Sequence, residues 1–218
     1  MTKKQTDRVP QPRWPAVLAA LAVSGLYYAL PEHLTLGPGW WLFAITCGLL
    51  VPTSLTHRSG YARVNDVLGY VLLFVITAGL VSSLVLLVMR LPQHKDAPVD
   101  LLKAAAALWA SNVLLFASWY WRLDGGGPNE RDRQGVHVDG AFLFPQMLMD
   151  DELKRKTGEE HWSPGFVDYL FLAFNTSTAF SPTDVPVLTR WAKVLMMVQS
   201  IISLTAVALL AARAVNIL

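Results

Sequence analysis

A chain of 218 residues in which 53% are hydrophobic and only 16% charged, with a net charge of +2 and a mean hydropathy of +0.38, is too apolar for an ordinary soluble domain. Its single cysteine, Cys47, excludes a disulfide framework and a cysteine metal site within one chain.

Residues 14–30 form the first uncharged stretch. A secretory signal would be followed by a small-x-small cleavage site, but none stands before Pro31 and a second apolar run opens at Gly39, so the segment reads as a retained helix. Residues 39–55 and 67–89 are also free of charge, 101–121 carries Lys103 alone, and 188–212 is uncharged from Val194 to Ala212. Each is long enough to cross a hydrocarbon core, the first two at the short end of the range. The expected fold is one all-α integral membrane domain over residues 1–218, with about five transmembrane helices and a short re-entrant or interfacial helix before the last.

Lysine and arginine in short loops set orientation. Lys3, Lys4, Arg8 and Arg13 precede the first span, and Arg58 and Arg63 follow the second; the turn at 31–38 has none, and the loop at 90–100 has Arg90 and Lys95. This predicts a cytoplasmic N-terminus and, after four crossings, a cytoplasmic connector at 122–163. Trp14, Trp40, Trp41, Trp119, Tyr120, Trp121, Trp162 and Trp191 fall near predicted span ends, where an amphipathic ring sits at headgroup depth.

The connector opens on Asp124-Gly125-Gly126-Gly127-Pro128, a run that stops a helix. A phosphate-cradling loop would need a preceding strand and a following helix with lysine, and neither is present. Phe142-Leu143-Phe144-Pro145-Gln146-Met147-Leu148-Met149 is an apolar patch expected to lie along the interface or dock on the bundle. His137, Asp139, Glu159, Glu160 and His161 have no metal-ligand spacing and read as solvated loop. No metal, cofactor or nucleic-acid partner is expected. The connector is net negative, with Asp150, Asp151, Glu152, Glu159 and Glu160 among its acids, and is a candidate dock for a protein partner.

Ser163-Pro164 predicts the start of a short helix, with serine as cap and proline in the first position. Asp168 follows, either as an intramembrane acid facing protein or water or as a charge favouring the helix dipole near the surface. A polar run, Thr176-Ser177-Thr178-Ala179-Phe180-Ser181-Pro182-Thr183-Asp184, separates this half-length helix from the last span, so residues 164–187 read as a re-entrant loop. On the final helix Gln199, Ser203, Ala206, Leu210 and Arg213 recur at steps of three and four, the pattern of a helix-helix seam or a pore lining. Asn112 is the one strongly polar residue deep in the first four spans. No nucleophile-and-base set is visible, so the chain is not expected to be an enzyme.

From Phe166 to Leu218 the chain resembles the pore module of potassium channels: pore helix, filter turn, inner helix. Asp184, Pro186 and Thr189 match the filter aspartate, its following proline and a threonine before the inner helix, and Thr176, Ser177 and Thr178 match the hydroxyl-rich entry. The filter glycines are replaced by Ala179-Phe180-Ser181-Pro182-Thr183, and Pro182 with its fixed φ resists a ring of filter carbonyls. That module enters from outside, whereas the basic residues here put the connector inside, the inverted arrangement of glutamate-receptor pores. Over its whole length the chain is similar to uncharacterised bacterial inner-membrane proteins through Trp119-Tyr120-Trp121-Arg122-Leu123-Asp124-Gly125-Gly126-Gly127-Pro128, Phe142-Leu143-Phe144-Pro145-Gln146, Ala179-Phe180-Ser181-Pro182-Thr183-Asp184 and Ala212-Arg213-Ala214-Val215-Asn216. The resemblances imply a multi-pass protein of the bacterial plasma membrane, a homo-oligomer with a cation path constricted by Thr176, Ser177, Thr178, Ser181, Thr183 and Asp184. The alternative is a non-conducting membrane protein that binds a partner through its acidic connector.

Overall fold

The structure, a computed structural model, describes residues 11–90, 97–134, 140–160, 162–178 and 184–215. Its helices are α1 (Trp14–Tyr28), α2 (Trp40–Arg58), α3 (Ala62–Arg90), α4 (Pro98–Leu123), α5 (Pro128–Gln134), α6 (Pro145–Leu148), α7 (Asp151–Thr157), α8 (Phe166–Thr178) and α9 (Arg190–Val215). Among the described residues the one β-type pairing is an isolated antiparallel bridge between Phe142 and Val187.

Among the described residues three stretches are long and apolar enough to cross a membrane: Ala62–Arg90, Val99–Gln134 and Arg190–Ala212. The sequence reading expects five. The 15 residues of α1 rise only about 22 Å. In α2 the second half holds Pro52, Thr53, Ser54, Thr56 and His57, which dilute its hydropathy.

Helix α4 is central and packs against α1, α3, α8 and α9, while α2 packs on α1 and α3. Buried small residues, Ala104, Ala105, Ser111 and Ala117 on α4 and Ser83 on α3, let the helix axes approach closely. Gly79 serves the same purpose, since a Cβ there would stand 3.0 Å from Leu42. Between them the side chains of Ile76, Leu80, Leu108 and Phe116 fill the interior.

Polar bonds gather three loops at one end of the bundle. Arg13, ahead of α1, pairs with Asp132 of α5 at 2.5 Å. The amide of Asn129 donates to Asn65 and Asp66 at the start of α3, at 2.9 and 2.7 Å. The connector end therefore also holds the N-terminal end of α1 and the α2–α3 turn. At the opposite end Tyr27 takes a bond from the Leu36 amide at 3.0 Å, closing the α1–α2 turn.

Helices α8 and α9 are consecutive yet run the same way. Phe166 packs on Trp121 and Phe174 on Trp109, so α8 runs antiparallel to α4 from the connector end inward. Trp191 packs on Phe142, and Ser203 meets Asn112, so α9 does likewise. The chain reappears at Asp184 beside the connector, where the Leu143 amide donates to Pro186 O at 3.0 Å and the Leu188 amide to Ala141 O at 2.8 Å.

Candidate functional site

The first helical residue of α8 is Phe166, two residues later than the Ser163-Pro164 signal predicts. The reason is Asp168, whose carboxylate accepts the Gly165 amide at 2.7 Å, the acidic half of a capping box. Ahead of it Pro164 turns its carbonyl to the Gln11 amide at 2.9 Å. Burial raises the Asp168 carboxyl above its ordinary value, and the bond from Gly165 opposes that shift.

At mid-depth one polar cluster joins α4, α8 and α9. Gln199, fully buried, donates through Nε2 to Ala173 O at 2.7 Å and to Ser177 Oγ at 2.8 Å, and its Oε1 accepts from the Tyr120 hydroxyl. Asn112 donates to Ser203 Oγ at 2.8 Å and to the Gln199 carbonyl at 3.2 Å. Of the sequence candidates, Asn112, Ser177, Gln199 and Ser203 thus meet. Ala206 lies on the same buried stripe.

The other candidates stand apart from this cluster. The Thr176 and Thr178 hydroxyls donate to the carbonyls one turn back, Leu172 O at 2.8 Å and Phe174 O at 2.9 Å, Thr176 buried and Thr178 exposed. Asp184 is exposed beyond the turn. Ser181 and Thr183, with Phe180 and Pro182, lie outside the described residues, as do His137, Asp139 and His161. Arg213 belongs to the α9 backbone, and its side chain is outside the description.

A second polar assembly sits where α4 meets the connector. Gly125, Gly126 and Gly127 all take positive φ, which ends α4 and turns the buried Asp124 inward. Asp124 accepts from the Ala141 amide and from the Tyr169 hydroxyl, the latter at 2.7 Å, while its carbonyl accepts from Arg131. It thereby ties α4, the connector and α8 together. Nearby, Arg122 faces Asp66 at 3.7 Å and stacks between Tyr70 and Trp121. Burial pulls the Arg13 guanidinium down to about 10, against the opposing charge of Asp132.

Sequence reading missed Asp124, Arg122, Arg13 and Tyr169. It read Asp124-Gly125-Gly126-Gly127 as punctuation only, although an acid directly after an apolar span was a signal of its own. Tyr120 and Trp121, expected at headgroup depth, are buried, because Phe142 packs on Tyr120 and Phe166 on Trp121. Trp14, Trp40, Trp41 and Trp191 are exposed.

Compared with protein-family models, curated proteins and solved structures, the chain matches none.

Proposed function

We propose that the chain is a multi-pass membrane protein with five crossings, α1 to α4 and α9, and one re-entrant element, α8 with its return segment, and that copies assemble into a channel-like, cation-conducting pore. One observation carries this reading: α8 and α9 both run inward from the connector end, and α8 stops level with Gln199, partway along α9. The last turn of α8 thus aims carbonyls that have no partner within the helix, and the negative end of its dipole, into the bundle, a favourable position for a cation. Thr178 is exposed, and since its hydroxyl donates backward to Phe174 O, its oxygen can still accept.

The path runs between copies in this reading. Within one copy the amide of Asn112 and the side chains of Ser177, Gln199 and Ser203 are engaged with one another, whereas Phe171 and Phe174 on α8 and Val194, Met197, Ile201 and Leu204 on α9 are exposed. Lipid or a second copy covers such a face. The lysine and arginine pattern supports a cytoplasmic connector in a bacterial plasma membrane.

Reconstituted protein should pass cation current in planar bilayers, reduced or reselected by Thr178→Ala and Asp184→Asn; bilayers that stay silent under varied ions and voltages overturn the reading. The rival, a non-conducting protein that binds a partner through its connector, draws support from α7, where Asp151, Glu152 and Leu153 are all exposed. Crosslinking from α7 that captures a partner without self-association favours the rival.

A further inference from the structure

A cleft of about 300 Å³ opens at the connector end between α1, α2, α3 and α4, a volume typical of small-ligand sites. Its floor is apolar and buried, built by Ala20, Leu72 and Leu73. Its polar wall carries Arg13, Arg58 and Arg122, and among the described residues no aspartate or glutamate lines it.

Arg122 and Arg58 are poorly compensated, and Arg13, though paired with Asp132, keeps donors to spare. Arg122 lies across α3 only because residue 69 is glycine: a Cβ there would stand 2.0 Å from the guanidinium carbon. Its acid, Asp66, is 3.7 Å away, long for a charge-assisted bond, and also accepts from Asn129. Arg13 commits Nη2 to Asp132 and Asn129, while its Nε and Nη1 are buried without a partner among the described residues. Buried donors of this kind call for an acceptor. Arg58, exposed at the end of α2, makes no ion pair among the described residues.

Guanidinium donors above a hydrocarbon floor are complementary to a molecule with anionic oxygens at one end and methylenes at the other. We propose that the cleft binds the headgroup and adjoining methylenes of an anionic phospholipid from the leaflet at the connector end. Basic pockets between membrane helices suit such headgroups, and Arg geometry suits phosphate. Exposed Trp14 lines the cleft, as fits a site at the lipid interface. Inorganic phosphate would leave the floor unfilled, and the ammonium of a zwitterionic lipid would face three cations. Conduction is not required for this binding.

The test uses the full chain, stripped of lipid in mild detergent and titrated with phosphatidylglycerol, phosphatidylcholine or inorganic phosphate, read by native mass spectrometry and thermal shift. Phosphatidylglycerol should be retained and raise the melting temperature, and phosphatidylcholine and phosphate should do neither. Arg58→Gln, at an exposed position that leaves the fold intact, should weaken phosphatidylglycerol about fivefold, the value of one surface arginine at a membrane. Ser54→Trp, at the exposed rim, should block entry. Equal retention of the two lipids, an equal shift with inorganic phosphate, or wild-type affinity in both variants would overturn the proposal.

Discussion

The side-chain amide of Gln199 donates to Ser177 Oγ at 2.8 Å, so the last turn of α8 is fastened to the middle of α9. Gln199→Leu leaves the Ser177 and Tyr120 hydroxyls buried with a partner removed. A buried group so orphaned costs about 1–3 kcal/mol, while interhelical bonds in membranes measure nearer 1 kcal/mol. The expected loss is about 2 kcal/mol, visible as a lower unfolding midpoint in detergent and faster proteolysis near α8. Gln199→Glu should be worse, because it buries a charge and removes both donors. A variant pair indistinguishable from wild type would show that α8 is held by packing alone.

Asn112 and Ser203 offer a direct measure of one bond in the same cluster. Their contact is 2.8 Å and buried, and Asn112 Oδ1 has no partner among the described residues. Asn112→Ala therefore discards an unpaired acceptor together with this bond and the one to the Gln199 carbonyl. A double-mutant cycle with Ser203→Ala should return a coupling of about 1 kcal/mol; a value near zero would mean that the two side chains merely adjoin.

Asp124 should be the most sensitive polar residue of the chain. Both of its carboxylate oxygens accept, from the Ala141 amide and the Tyr169 hydroxyl. Asp124→Ala orphans both donors and is expected to cost about 3 kcal/mol or more. Asp124→Asn turns an amide donor against one of the two whichever way it flips, and should fall between Ala and wild type. Tyr169→Phe, which removes one bond of the pair, should cost about 1 kcal/mol. The order, read by thermal melts in detergent, is the check.

Gly69→Ala and Gly127→Ala should separate by mechanism. At Gly127 the φ of +89° and a would-be Cβ 2.7 Å from the Arg122 carbonyl strain the backbone itself, at about 1–3 kcal/mol. At Gly69 the obstruction is the guanidinium of Arg122, the far end of a flexible side chain. Gly69→Ala should thus displace Arg122 with little loss of stability but lower retention of phosphatidylglycerol. Unfolding at Gly69→Ala as severe as at Gly127→Ala would contradict this.

Local pattern reported what local chemistry determines. The uncharged runs located the long helices; of the stripe Gln199, Ser203, Ala206, Leu210 and Arg213, the first three are buried, Leu210 is half-buried and the Arg213 side chain lies outside the description. Partners distant in sequence were invisible: Tyr169 lies 45 residues from Asp124, and nothing near the glycine run announces it. Aromatic residues at a span end are ambiguous between headgroup and packing, and Tyr120 and Trp121 went to packing because the connector folds back over them. The start of α8 was misread by two residues because a serine-proline pair is a common cap, whereas the carboxylate that caps this helix comes from inside it.

That carboxylate gives the pH prediction. Burial raises the Asp168 carboxyl, with the Gly165 amide bond opposing it, so the native state holds its proton more tightly than the unfolded chain does. Stability from this group is full below the unfolded carboxylate range and is lost as pH rises through the higher native value. Asp168→Asn keeps an acceptor for Gly165 without the charge, and at neutral pH should match or exceed wild type in melting temperature. As pH falls through the carboxylate range, wild type should gain on the variant. Asp168→Ala, which deletes the cap, should lose about 1 kcal/mol at low pH, and less as pH rises and wild type gives up its own contribution. A wild-type advantage over Asp168→Asn that grows toward neutral pH would reverse the sign and show that the ionised carboxylate is the favoured form in the fold.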